Sequence, residues 1–281
     1  MTTITADRTT APVATRVVVA AGAVLAIVGA AWGSGAFGGT PIQEAAGGAL
    51  AADATLLAPA TPAFAIWSVI YTGLLVFAVY QALPRPGSRP RVRSVAWHVL
   101  AAMVLNAAWI AVVQEGWLLA SVGVLAAIVV VLVLAVARLG QSGPSTFIEA
   151  LALDLPVGLY LGWASVATVA NVTAFGVVWF GLEPGEGMPA AVGVLVAVGF
   201  LAIAVARDLA RTATLAWATT GAMAWGVVWI GEGRLNGTPS DAVVGWTAVG
   251  VAAVAVAATL VTTVAARVRH SLAQRRDGRA T

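Results

Sequence analysis

The sequence contains no cysteine and no lysine, and only two histidines. Without cysteine the chain has no disulfide, no thiolate nucleophile and no cysteine-ligated iron–sulfur cluster or haem. Without lysine it has neither a Schiff-base lysine nor the lysine of a phosphate-binding P-loop. The histidines, His98 and His270, are too far apart in sequence to predict a multi-histidine metal site. We therefore expect no metal and no covalently held cofactor.

Charge is also scarce, because only 10% of the residues are charged while 60% are apolar, with a mean hydropathy of +0.93. Soluble domains are about 45–50% apolar and about 25% charged, so a soluble globular protein is excluded. A helix needs about 20 apolar residues to cross the hydrocarbon core of a bilayer. The sequence predicts an all-α polytopic membrane protein with eight such spans, at 17–36, 62–83, 95–114, 117–137, 156–181, 189–206, 213–231 and 242–266.

Arginine is concentrated on one side of the predicted spans. Fourteen of the fifteen arginines fall in segments that alternate with acidic loops, and only Arg234 lies on the other side. This positive-inside pattern predicts that both termini are cytoplasmic in a cell-membrane protein. We expect the clusters at residues 85–93 and 267–279 to contact anionic lipid headgroups and not nucleic acid, because each adjoins the end of a span.

Three of the spans carry aromatic and polar side chains at helical spacing, which places those of each span on one face. The residues are Phe64, Trp67 and Tyr71 in the second span, Asn106 and Trp109 in the third, and Trp163, Ala167 and Asn171 in the fifth. An unpaired amide in hydrocarbon costs several kcal/mol. Asn106 and Asn171 must therefore face protein, water or a ligand.

Two explanations of these stripes are open. The amides can bond across helices while the tryptophan rings fill space, an arrangement that is common in helical membrane proteins. Alternatively, the three spans surround a small-molecule cavity, because apolar pockets with a few convergent polar groups are the usual ligand sites. The second explanation makes the protein a binder of a hydrophobic molecule.

Other ionisable residues give weaker indications. Thr146 and Glu149 fit a capping box, and Glu149 and Asp154 are expected in the cytoplasmic interface with Arg138 as a candidate partner. With His98 they are the acid–base groups that a membrane enzyme would have to use. No catalytic constellation is present, so we expect no enzymatic activity. A small-molecule transporter and a structural scaffold are the alternatives, although no internal repeat favours transport.

Three short motifs resemble those of the translocator protein family, also called TspO/MBR or tryptophan-rich sensory proteins. The segment FAIWSVIY at 64–71 is similar to the family's FxxVWxxLY, and LNAAW at 105–109 is similar to its LNxxW. Trp163, Ala167 and Asn171 are similar to its WxxFAxxLN. The resemblance covers residues 17–182. The first loop, 37–61, differs from that of the family because it contains no tryptophan.

The resemblance implies a five-helix bundle around a ligand cavity. Family members bind porphyrins and other hydrophobic molecules such as sterols, and are implicated in tetrapyrrole-linked stress signalling. Trp67, Asn106, Trp163 and Ala167 match positions that line the family's cavity, while Tyr71, Trp109 and Asn171 match neighbouring motif positions. The implied function is binding of a planar, tetrapyrrole-like or lipid-like ligand between the second, third and fifth spans, in a sensory or regulatory role.

The expected organisation combines this bundle with a three-helix extension. A homo-oligomer is one of the open alternatives for the assembly. The segments are a cytoplasmic N-terminal segment at 1–16, a TspO-like domain at 17–182, the extension at 183–266 and a basic cytoplasmic tail at 267–281.

Overall fold

The computed structural model describes residues 13–33 and 40–277, which contain helices and no β-strand. Eight of the helices are long and apolar enough to cross a membrane, which confirms the predicted class and number of spans. They are α1 (Val13–Gly33), α2 (Ile66–Ala82), α3 (Pro90–Gln114), α4 (Leu118–Gly140), α5 (Leu155–Phe180), α6 (Met188–Asp208), α7 (Ala213–Asn236) and α8 (Ala242–Asp277).

Helix ends differ from the sequence predictions by a few residues. Helix α3 begins at Pro90, not at residue 95, because proline is well suited to the first turn of a helix and the arginines that follow it join the helix. Helix α8 continues to Asp277, through most of the predicted tail. The predicted N-terminal segment and the ends of the first span and the tail lie partly outside the described residues, at 1–12, 34–36 and 278–281.

Helices α1 to α5 form a closed ring. Around the ring each helix packs on the next in the order α1, α2, α5, α4, α3, and α3 returns to α1. Their inward faces share one hydrophobic core, in which Ile70, Val99, Ile128 and Val157 are fully buried. This ring brings α2, α3 and α5, the three helices with aromatic and polar stripes, around a common interior.

Helices α6, α7 and α8 pack together against the outside of α5. Helix α7 makes the contact, and its approach depends on glycine at the crossing. A Cβ atom on Gly162 would lie 2.1 Å from the carbonyl oxygen of Thr219, and one on Gly158 would lie 2.7 Å from Cβ of Ala218. Small residues four apart allow two membrane helices to approach this closely. The extension is thus seated on the wall of the ring.

A buried ion cluster joins the start of α3 to the segment before α5. The side chain of Glu149 is fully buried and accepts from Arg89 Nη1 at 2.6 Å. Arg91 lies 3.4 Å from Glu149 and 2.7 Å from Asp154, which is also fully buried. These two arginines are the partners of the acids, whereas Arg138 was the expected one.

Local structure explains how the two acids reach the arginines. Thr146 Oγ1 accepts from the backbone nitrogen of Glu149 at 3.1 Å, which is the N-cap half of the predicted capping box. The side chain of Glu149 accepts from Arg89 and Arg91. One π-helical turn follows at Ala150–Asp154, before α5 begins. Arg138 instead contacts His98 on α3. The cluster therefore fixes the Arg-rich end of the ring, because each charge in it has an opposite charge within 3.4 Å.

Candidate ligand-binding cavity

The ring encloses a cavity between α2, α3, α4 and α5, at the end of the bundle opposite the ion cluster. Its lining is mainly apolar and aromatic. The cavity has about 640 Å³ of empty space, counting the part that opens to solvent, but only about 40 Å³ of it is wide enough for the centre of a water molecule. It is a narrow slit in this state, with room for a few waters.

An aromatic cluster forms one wall of the slit. Trp67 of α2 stacks on Tyr71, with ring centroids 5.1 Å apart, and meets Tyr160 and Trp163 of α5 edge to face at 5.8 and 6.3 Å. Phe64 contacts Trp163 edge to face at 5.7 Å. Such pairs are favourable arrangements for aromatic rings and present flat faces to the space between them.

The two asparagines bond across helices and also line the cavity. Asn106 Nδ2 of α3 donates to the hydroxyl of Tyr71 on α2 at 2.9 Å. Ser121 Oγ of α4 donates to Asn171 Oδ1 of α5 at 2.5 Å. Both amides are 2% exposed and both belong to the cavity lining. The structure therefore combines the interhelical hydrogen bonds of the first explanation with the cavity between helices of the second.

Two polar groups of the lining have no partner. The indole nitrogens Nε1 of Trp109 and Trp163 are shielded from solvent and make no hydrogen bond in the described structure. A buried N–H without an acceptor is unfavourable by about 1–3 kcal/mol, and such groups are few in folded proteins. Both indoles line the slit. The cavity is therefore lined by two tryptophans whose indole nitrogens have no hydrogen-bond acceptor.

Seven of the eight residues singled out in the sequence line this one cavity. The eighth, Tyr71, lines an adjoining pocket that shares Phe64, Trp67 and Trp109 with it. The sequence reasoning missed Leu125 and Ile128 of α4, since an aliphatic residue in an aliphatic helix carries no distinguishing signal. The first loop was also missed, and supplies Ile42, Ala49, Leu50, Thr55, Ala58 and Pro59.

This first loop closes the cavity and is fastened to the extension by Arg234 of α7. The guanidinium donates to the carbonyl oxygens of Thr55 at 2.8 Å and Ala52 at 2.6 Å within the loop, and to Thr238 at 3.1 Å. Arg234 is 1% exposed. Arg234, the one arginine on the acidic side of the spans, therefore donates its hydrogen bonds to backbone carbonyls, two of them in the loop.

Further contacts with α7 follow along the loop. The backbone nitrogen of Ala60 donates to the carbonyl of Trp229 at 3.0 Å, and Trp225 Nε1 donates to the carbonyl of Ala63 at 2.9 Å. Leu56 and Leu57 are buried in the hydrophobic core that the extension shares with α5. One side of the loop therefore faces the cavity while the other is part of the extension.

Comparison with known proteins decides the family. The family profile described as "TSPO-like protein" matches residues 16–261, most of the chain. The chain belongs to the TSPO-like protein family. In this TSPO-like protein the match continues beyond residue 182, where the motif resemblance ends, through α6 and α7 and into α8. A search of curated proteins and a search of solved structures found no match.

Proposed function

We propose that this TSPO-like protein binds a hydrophobic, planar molecule, tetrapyrrole-like or lipid-like, in the cavity between α2, α3, α4 and α5. The observation that carries the proposal is one cavity lined by aromatic rings and by the amides of Asn106 and Asn171, in which the indole nitrogens of Trp109 and Trp163 have no partner. A sensory or regulatory role fits a site that offers binding groups and no catalytic constellation.

The same groups define the chemistry of the ligand. Flat rings at Trp67 and Phe64 favour a planar apolar body, since stacking and edge contacts gain most from flat partners. The two indoles donate and do not accept, so the ligand should carry carbonyl or carboxylate oxygens. A planar molecule with peripheral acceptors, such as a porphyrin with carboxylate side chains, meets both requirements.

Binding requires the cavity to widen. Ligand pockets are typically about 300–1,000 Å³, whereas the volume inside the slit is only about 40 Å³. The aromatic rings or the first loop must therefore move apart when a ligand enters. Because Arg234 ties the loop to α7, the extension sets how readily this end opens.

Trp163→Phe tests the donor role of the indole. This substitution removes the N–H while keeping an aromatic ring in the slit, and one neutral hydrogen bond contributes about 0.5–1.5 kcal/mol. We expect the Kd for protoporphyrin IX to rise roughly three- to ten-fold. Titration followed by the porphyrin's own absorbance avoids the change in tryptophan fluorescence that the substitution causes.

Trp217→Phe is the matched control, because Trp217 lies on α7 outside the cavity lining and is 38% exposed. It should bind protoporphyrin IX as the parent protein does. Asn106→Leu, which removes a polar group of the lining, should weaken binding as Trp163→Phe does. If the parent protein and the three variants bind protoporphyrin IX with equal affinity, the cavity is not the binding site.

A further inference from the structure

The described residues that line the aromatic cavity carry no charge. None of them is an acid, an arginine or a histidine, and their polar side chains are amides, hydroxyls and indoles. Two of the hydroxyls are already engaged. That of Tyr160 donates to the carbonyl oxygen of Ala102 at 2.9 Å, and Thr55 Oγ1 accepts from the backbone nitrogen of Leu57 at 3.2 Å. The cavity therefore offers a ligand dipoles and not ions.

The segments outside the described residues are either uncharged or adjoin the far end of the bundle. Residues 34–39, between α1 and the first loop, include no charged residue. Residues 1–12 precede α1, which begins at the Arg-rich end and, with 21 residues, is about 30 Å long. Residues 278–281 follow α8, which ends on that same side because the number of spans is even.

The loops at the cavity end of the bundle are acidic. Among the described residues at this end there are seven acids and one arginine: Glu44, Asp53, Glu115, Glu183, Glu186, Glu232, Asp241 and Arg234. The arginine is 1% exposed, and its guanidinium donates to backbone carbonyls. An anion that approaches this end therefore meets a surface of its own sign, which lowers its local concentration.

We propose that the cavity selects an uncharged ligand, whose acceptors are carbonyl, ester or ether oxygens and not ionised carboxylates. This inference rests on the binding function proposed above and decides between the two acceptor classes named there. An ion that enters apolar surroundings loses its hydration and has to be paired, and the described lining holds no opposite charge. The amides of Asn106 and Asn171 suit a neutral polar group. A porphyrin with ionised carboxylates has to keep them outside the slit.

A matched pair of porphyrins tests the selection. The purified full-length protein in detergent is titrated with protoporphyrin IX dimethyl ester and, at about pH 8, with protoporphyrin IX, whose carboxylates are then ionised. The two share one ring and differ in charge. We expect the Kd of the ester to be lower by roughly ten-fold, because only the charged compound has to give up ionic hydration.

A cation placed in the lining should reverse this preference. Leu50 lines the cavity from the first loop and is half-buried. Leu50→Arg should lower the Kd of protoporphyrin IX relative to that of the ester by roughly ten-fold, because the guanidinium pairs with a carboxylate. Leu50→Gln is the matched control and should leave the ratio of the two Kd values unchanged. Comparing ratios in one detergent cancels the different partitioning of the two compounds into micelles.

Two further variants keep the test decisive. Ala49 also lines the cavity from the first loop, so Ala49→Arg takes the place of Leu50→Arg if the latter does not fold. Ala167→Phe, which fills the slit, should weaken binding of both porphyrins. If it weakens neither, the cavity is not the site and both proposals fail. If it weakens both, but the parent protein binds protoporphyrin IX as tightly as the ester and the added arginine leaves the ratio unchanged, the selection is overturned while the binding function stands.

Discussion

Replacing Arg234 by Met should release the first loop from α7 and lower both stability and ligand affinity. The substitution removes the charged donor from three carbonyl oxygens, of Ala52, Thr55 and Thr238. Of these acceptors only Thr55 is buried, while Ala52 is half-buried and Thr238 is exposed to solvent. A buried acceptor left unsatisfied costs about 1–3 kcal/mol, so we expect a loss of about that size. Thermal unfolding in detergent measures the stability, and hydrogen exchange of residues 50–60 measures the opening of the loop.

The same variant also tests whether the first loop contributes to ligand affinity. We expect the Kd for protoporphyrin IX to rise about ten-fold, because a loop that is not held no longer closes the cavity. Arg207→Met is the matched control, since Arg207 is exposed on α6 and its replacement should change neither quantity. If Arg234→Met exchanges its loop amides at the rate of the parent protein, then Arg234 does not hold the loop.

The second large effect is expected at the buried ion cluster. Asp154→Leu leaves Arg91 buried at 7% side-chain exposure without its closest counter-charge, and Arg91→Met leaves Asp154 fully buried and uncompensated. Removing one member of a buried pair typically costs about 3–5 kcal/mol. Each single variant should therefore unfold at a clearly lower temperature than the parent protein.

The double variant Arg91→Met/Asp154→Leu provides the decisive comparison. Replacing both charges by apolar side chains of similar size is often nearly neutral, because no charge is then left buried. We expect the double variant to be more stable than either single variant. A double variant whose loss equals the sum of the two single losses would show that the pair is not coupled.

The number of helices and the aromatic stripes were predictable because each depends on local sequence. A membrane span is predicted from the length of an apolar run, and residues that share a helix face are predicted from their spacing in the sequence. For this reason Trp67, Asn106 and Trp163 could be assigned to one interior before any packing was known. The family motifs carried the same residues.

The first loop and its attachment to α7 were not predictable in this way. Ile42, Leu50 and Ala58 show no periodicity. The position of their loop depends on the hydrogen bonds of Arg234, which is 179 residues from Thr55 and 182 from Ala52. Arg234 looked like an exception to the positive-inside pattern, and its partners are backbone carbonyls, which are the same in every sequence. That Glu149 and Asp154 pair with Arg89 and Arg91, and not with Arg138, likewise depends on how α3 and α5 pack.

The most direct test of the account is to fill the cavity without adding charge. Ala167 lines the slit on α5, so Ala167→Phe places a ring in the space that the ligand would occupy. Ala126→Phe makes the same change on an exposed face of α4, outside the lining. Titration with protoporphyrin IX should show at least a ten-fold loss of affinity in Ala167→Phe and none in Ala126→Phe. Unchanged binding in Ala167→Phe would contradict the assignment of the cavity as the ligand site.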